Sequence, residues 1–198
     1  MGLVAISKTK HRDKALSPHR NFFFSKELLI TKICGFELQH MTGCIPLIFT
    51  RSQTSVQFCG LLGLENGKNL MVKPDGSWRA RFVPAMLRRH PFSIGNLDGC
   101  SQKIVLDEET EFIVDRDQGH NFFKEDGSTG AVIEHFNELL ARITQSMARA
   151  EKAWSRIDDL DPFKPFDPII KKSDGGIIRL EGVLSIHIEK FGKLKESQ

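Results

Sequence analysis

Residues 64–92 read LENGKNLMVKPDGSWRARFVPAMLRRHPF, and their turn chemistry sets the architecture. Asn66-Gly67 is the strongest short hairpin signal, because a type I′ turn needs positive φ at both central residues. Pro74-Asp75-Gly76 is a second turn, with Pro fixing φ and Gly accepting the left-handed position. NLMV (69–72) reads as a returning strand. SWRARFV (77–83) reads as the next one, in which Trp78, Ala80 and Phe82 share a face by period two. Upstream, VQFCGLLGL (56–64) reads as a strand whose glycines mark a bulge or a close backbone approach. Residues 56–83 therefore predict a three-strand antiparallel meander. Pro84 stops the ladder by removing a donor. AMLRR fits one helical turn, which His90-Pro91 ends, because a residue before Pro avoids the α region.

Outward from this block the pattern continues. PLIFT (46–50) reads as a strand, and Asp98-Gly99 and Asp126-Gly127 mark turns. From 129 to 158 the period changes. Val132, Phe136, Leu139, Leu140, Ile143, Met147, Ala150, Trp154 and Ile157 recur every three or four residues, the mark of a long amphipathic helix. Ser128 and Thr129 are candidate caps, and Pro162, Pro165 and Pro168 forbid continuation. PIIKKSDGGIIRLEGVLSIHI at the C-terminal end reads as two strands around Asp174-Gly175-Gly176. The expected class is α+β: an antiparallel β meander and hairpins with one long amphipathic helix packed on the sheet.

The 198 residues suit one domain with a substantial core, residues 21–198, preceded by a basic arm over 1–20. Residues 1–32 hold seven Lys and Arg against Asp13 and Glu27, which leaves the remainder slightly acidic. That balance argues against a basic nucleic-acid groove across the folded body, and the arm is expected to be a loose, solvated end. No window holds 18 uninterrupted apolar residues, so no transmembrane helix is expected. The opening MGLVAISKTKHRDK lacks the order of a signal peptide, and Ile6 stands where myristoylation needs Ser or Thr. A cytoplasmic chain is the resulting expectation. Cys34, Cys44, Cys59 and Cys100 form no C-x-x-C pair, and His40 between Cys34 and Cys44 gives no recognised zinc spacing. Free thiols are expected.

Arg88-Arg89-His90-Pro91-Phe92 is the most functional-looking cluster. Adjacent arginines diverge by about 100° within one helical turn. One is expected to pair inward with a carboxylate while the other faces solvent or an anion, and Arg suits both tasks. Trp78, Arg88, Arg89 and His90 are thus candidate ligand-binding residues, weighed against a purely structural role for the arginines. DRDQGHNFFKED (115–126) fails the calcium-loop pattern, since Gly119 falls at the fifth position and Asp126 at the twelfth; an exposed acidic turn is expected instead. Glu134, His135 and Glu138 on the long helix read as a polar face, not a metal site. Ser101, Ser128 and Ser185 lack a nucleophile-elbow context, and neither a P-loop nor G-x-G-x-x-G is present, so no cofactor is expected.

Taken in order, these blocks resemble the SapC family of bacterial surface-layer-associated proteins. HRD (11–13) resembles its early His-containing segment, FFF (22–24) its aromatic pair, and FEL with CIPLIFT (36–38, 44–50) its "EF…YPIVF" block. LLGLENGKNLMVKPDGSWRARFVPAMLRRHPF resembles its core almost throughout. NFFKEDG (121–127) and IIRLEGVLSI (177–186) resemble its later elements. The chain has no Tyr; Phe82, His90 and Cys44 stand where the family favours it. The resemblance implies an accessory or binding protein with a surface-layer connection, unrelated to the peptide-transporter permease of the same name, which spans a membrane. The alternative is a small-molecule or anion binder, or an enzyme, with a pocket around Trp78, Arg88 and Arg89. The family pattern continues past the final hairpin, so the resemblance also implies a shortened C-terminal end. On that basis a protein-partner patch is expected at Ile177, Leu180, Val183 and Ile186.

Overall fold

The structure, a computed structural model, describes residues 2–52, 55–96, 103–158 and 161–193. The Asp98-Gly99 turn signal, Cys100 and Ser101 lie outside the described residues. In chain order the elements are β1 (Leu3–Ala5), α1 (Lys8–His11), β2 (Lys14–Leu16), β3 (Ile30–Lys32), α2 (Leu38–Met41), β4 (Leu47–Arg51), β5 (Val56–Leu61) and α3 (Ala85–Arg88). There follow β6 (Phe92–Gly95), β7 (Lys103–Asp107), β8 (Ile113–Asp115), β9 (His120–Asn121), α4 (Ala131–Asp158), β10 (Phe163–Pro165), β11 (Ile169–Lys171), β12 (Ile177–Arg179), β13 (Val183–Ile186) and α5 (Ile188–Lys193). The α+β class holds, with antiparallel sheets and one long amphipathic helix packed against them. The chain divides into two compact units: Met1–Asn21 with Leu87–Thr144, and Phe22–Met86 with Gln145–Gln198.

The first unit carries two three-stranded sheets, ordered β1-β7-β6 and β8-β2-β9. The segment expected to be a loose arm is built into both: Leu3 pairs with Asp107, and Lys14 with Asp115. The reason is burial. Ala15 and Leu16 are buried, and so is His11, at 2% exposure. The Ser7 amide donates to His11 Nδ1 at 3.1 Å, which leaves the Nε2 proton to be donated to Glu108 Oε1 at 2.9 Å. Three-residue strands are too short for alternation to register in a sequence. The unit's core is aromatic: the Phe92 ring lies 4.3 Å from that of Phe136 and 5.7 Å from that of Phe122. Each such burial contributes about 1.5–3 kcal/mol.

Helix α4 enters with its apolar stripe much as its periodicity predicts. Phe136, Leu139, Leu140 and Ile143 are buried, with Ile133 in place of Val132 at the first turn. Glu134, His135 and Glu138 form its exposed face. The second half of α4 belongs to the second unit, where Trp154 meets Phe49 edge-on at 5.1 Å and Phe58 at 6.2 Å.

The second unit is organised by a five-stranded antiparallel sheet, order β10-β13-β4-β5-β3, beside a separate β11–β12 hairpin. Alternation gives the sheet two distinct faces. Phe49, Phe58 and Val56 point toward α4; Ile30, Ile48, Leu61 and Val183 point the other way, toward the hairpin. Two expectations are corrected here. Residues 56–83 do not form a three-strand meander. The Asn66-Gly67 and Asp75-Gly76 turns exist, with positive φ at Gly67 and Gly76, but only isolated bridges, Glu65 with Lys68 and Val72 with Trp78, close them. The backbone is engaged elsewhere: the buried Asn69 donates its side-chain amide to Ser25 O at 2.9 Å and its main-chain N–H to Lys26 O at 2.8 Å. Nor do Ile177, Leu180, Val183 and Ile186 form an exposed patch. β13 is inserted between β10 and β4, so Leu180 and Val183 are buried against Leu61 and Ile186 is half-buried; of the four residues only Ile177 stays exposed, at 61%.

Candidate functional site

Trp78 lies in the second unit and is buried. Its indole N–H donates to Phe82 O at 2.9 Å and its ring packs on Phe22 at 5.4 Å, while Phe22 N donates to Gly76 O at 2.8 Å. The polar end of this Trp therefore holds its own loop in shape. Nearby, Glu37 is fully buried; its carboxylate accepts from Cys34 N at 2.9 Å and from Ala85 N, the first residue of α3, at 2.7 Å. Sequence reasoning passed over Glu37, although it sits inside the FEL block.

Arg88, Arg89 and His90 lie in the first unit, where α3 ends. The expected division into one buried and one exposed arginine is not seen, since both are half-buried. A third arginine joins them. Arg20 donates to Arg88 O at 3.1 Å and to His90 O, and its guanidinium lies 5.7 Å from the Phe136 ring. Arg20 was missed because it fell within the supposed arm; its only sequence signal is the early basic cluster. His90 packs edge-on against Phe112 at 5.5 Å, with Nε2 3.3 Å from Thr110 Oγ1. Burial pulls its pKa from an ordinary 6.5 down to about 4, with Arg20 and Arg89 adding to the effect and Asp107 opposing it.

This gives a pH prediction. Between pH 6.5 and 4 the unfolded chain binds a proton that folded His90 refuses. Stability from this group is therefore complete above about pH 6.5 and is lost as pH falls toward 4. Urea titrations of wild type and His90→Gln at neutral and acid pH should show a steeper acid loss for wild type. Parallel losses would refute the assignment to His90.

In the second unit a groove of about 550 Å³ lies on the sheet face turned toward the hairpin. Leu29, Ile30, Ile48, Leu61, Ile178 and Val183 line it. An ion pair between Lys172, which follows β11, and Glu65, beside the Asn66-Gly67 turn, ties the hairpin across it and holds the Glu65 carboxyl below its ordinary range. On the opposite face of the same sheet a smaller pocket of about 180 Å³ lies under α4, walled by Ile33, Val56, Phe58, Met147 and Trp154. Neither was read from the sequence, because both depend on which distant strands become neighbours. Among the described residues, no cluster of three or more His, Cys, Asp or Glu side chains could hold a metal, and no helix is long and apolar enough to cross a membrane.

Neither the comparison with curated proteins nor that with solved structures gave a match. The family model described as SapC matches residues 6–198, nearly the whole length. The chain belongs to the SapC family.

Proposed function

We propose that this chain is a binding protein without a catalytic centre, working through the groove of its second unit. The carrying observation is that groove: about 550 Å³, apolar along its floor, and rimmed by Glu65, Arg179 and Glu181. Its size and lining are those of small-ligand and peptide sites. Buried polar side chains elsewhere in the same unit support the same reading, because Trp78, Glu37 and Asn69 spend their hydrogen bonds on the backbone. The surface-layer association implied by the family belongs to this proposal, since association of that kind needs a binding surface. The environment-sensitive dye 1-anilinonaphthalene-8-sulfonate should bind the native protein saturably. Ile177→Lys, at an exposed position on the groove's wall, should weaken that binding about tenfold with thermal stability unchanged. No saturable binding, or binding indifferent to the substitution, would refute the reading.

A second reading has its own observation. Arg20 bonds the Arg88 and His90 carbonyls, and burial, with the Arg20 and Arg89 charges adding to it and Asp107 opposing it, depresses the His90 pKa. An anion bound there would raise the His90 pKa, which a proton NMR titration with added inorganic phosphate measures directly. An unmoved His90 titration refutes an anion site.

A further inference from the structure

We infer that β3 is a docking edge: an extended peptide segment of a partner protein adds to the five-stranded sheet alongside Ile30–Lys32. The inference rests on the binding reading above and names the occupant of the same surface.

β3 is the terminal strand of the sheet, and among the described residues no strand lies on its far side. Its pairing with β5 shows which backbone groups face outward. Leu62 N donates to Leu29 O, and Ile33 N donates to Phe58 O. Hydrogen-bonded and non-bonded pairs alternate along an antiparallel ladder, so Thr31 bonds to Gly60 while Ile30 and Lys32 aim their N–H and C=O groups away from β5. Leu28, Ile30 and Lys32 are all exposed along this edge. An unpaired row of donors and acceptors is a template for another strand.

The two cavities make the edge specific. Both reach β3, one on each face of the sheet: the larger groove at Leu29 and Ile30, the smaller pocket at Lys32 and Ile33. Successive side chains of an added strand alternate between the faces, so neighbouring apolar residues of one peptide would enter both. Charge adds a third term. Lys32 has no ion pair or hydrogen-bonded side-chain partner among the described residues, and it sits on the edge strand itself. A carboxylate on the incoming strand opposite Lys32 would complete it. The recognised chemistry is therefore an extended segment with an acidic residue followed by two apolar ones, taken in the antiparallel sense: the acid opposite Lys32, the first apolar residue toward Trp154 and Phe58, the second into the groove.

The test uses the full chain and a capped heptapeptide centred on glutamate-phenylalanine-leucine, followed by anisotropy of a dye on the peptide. The expected result is saturable binding with three properties. N-methylation of the peptide amides that face Ile30 or Lys32 weakens it at least about tenfold, the scale of one or two hydrogen bonds. Ile30→Pro, tolerated at an outward-facing edge position, does the same. Lys32→Glu weakens the glutamate peptide and favours its lysine counterpart. Peptide binding that ignores N-methylation and Ile30→Pro overturns the strand-addition inference and leaves the groove reading standing. So does peptide failure while the naphthalene dye still binds. Failure of both peptide and dye overturns both. A chain that dimerises without peptide, with a dimer that Ile30→Pro dissolves, gives the edge to a second copy and overturns the peptide assignment.

Discussion

Glu37→Ala is expected to lower the stability of the folded chain by about 3–5 kcal/mol, because it strips two buried amides of their acceptor. The carboxylate reaches Cys34 N at 2.9 Å with one oxygen and Ala85 N at 2.7 Å with the other, and the residue has no exposure. Cys34 precedes a turn of 3₁₀ helix over Gly35–Glu37, while Ala85 opens α3 some 48 positions along the chain. One side chain thus satisfies the N-terminal donors of two helical turns, whose first N–H groups have no partner within the turn. Each orphaned buried amide costs about 1–3 kcal/mol, and the void left by the removed atoms adds to that. Glu37→Gln separates the terms. It keeps the volume and one acceptor, but turns an NH₂ group toward an N–H, so it should lose roughly half as much. Urea denaturation of the three proteins measures this. A loss below about 1 kcal/mol for the alanine variant would show that water reaches these amides and that Glu37 is not their anchor.

Glu37 also marks how far the sequence could be read. Local signals held up where chemistry acts over a few residues. The glycines of Asn66-Gly67, Asp75-Gly76, Asp126-Gly127 and Gly175 all take positive φ, and α4 spans Ala131–Asp158 as its periodicity predicts. NLMV looked like a strand because its composition suits one. Asn69 overrides that, since its amide groups are bound to Ser25 and Lys26, more than 40 positions away. The N-terminal segment looked like a solvated arm because its charges dominate the count, whereas the buried His11 and Ala15 decide its place. Of the candidate site residues, Arg88, Arg89 and His90 adjoin one another, and Arg20 completes their surroundings through backbone bonds that no spacing rule encodes. The groove arises from β13 entering the sheet between β10 and β4. That choice is made by nonlocal burial of Val183 and Leu180 against Leu61, so a local reading placed the same residues on the surface.

Gly63→Ala should be more damaging than Gly67→Ala, although only Gly67 has a backbone conformation that favours glycine. At Gly67, φ is +76° and an added Cβ would meet nothing within 4 Å. The substitution there costs left-handed strain alone, about 1–2 kcal/mol. At Gly63 an added Cβ would lie 1.9 Å from Lys68 O and 3.0 Å from its carbonyl carbon. Those are main-chain atoms, so no rotamer change relieves the clash. Lys68 is fixed in turn: its N–H donates to Glu65 O, while the next two amides donate to Lys26 O and Leu62 O at 2.8 Å each. Moving the Lys68 carbonyl away breaks that set. Overpacking typically costs about 1–3 kcal/mol, and each lost hydrogen bond adds about 1, so the total should exceed about 3 kcal/mol. The displaced turn carries Glu65 and Asn66, which rim the groove. Gly63→Ala should therefore also weaken binding of the naphthalene dye, while Gly67→Ala leaves it intact. Urea midpoints and dye titrations on the two variants give the comparison. Equal stability losses, or a larger one at Gly67, would show that the Gly63–Lys68 approach relaxes freely and that turn conformation, not backbone proximity, is what this segment depends on.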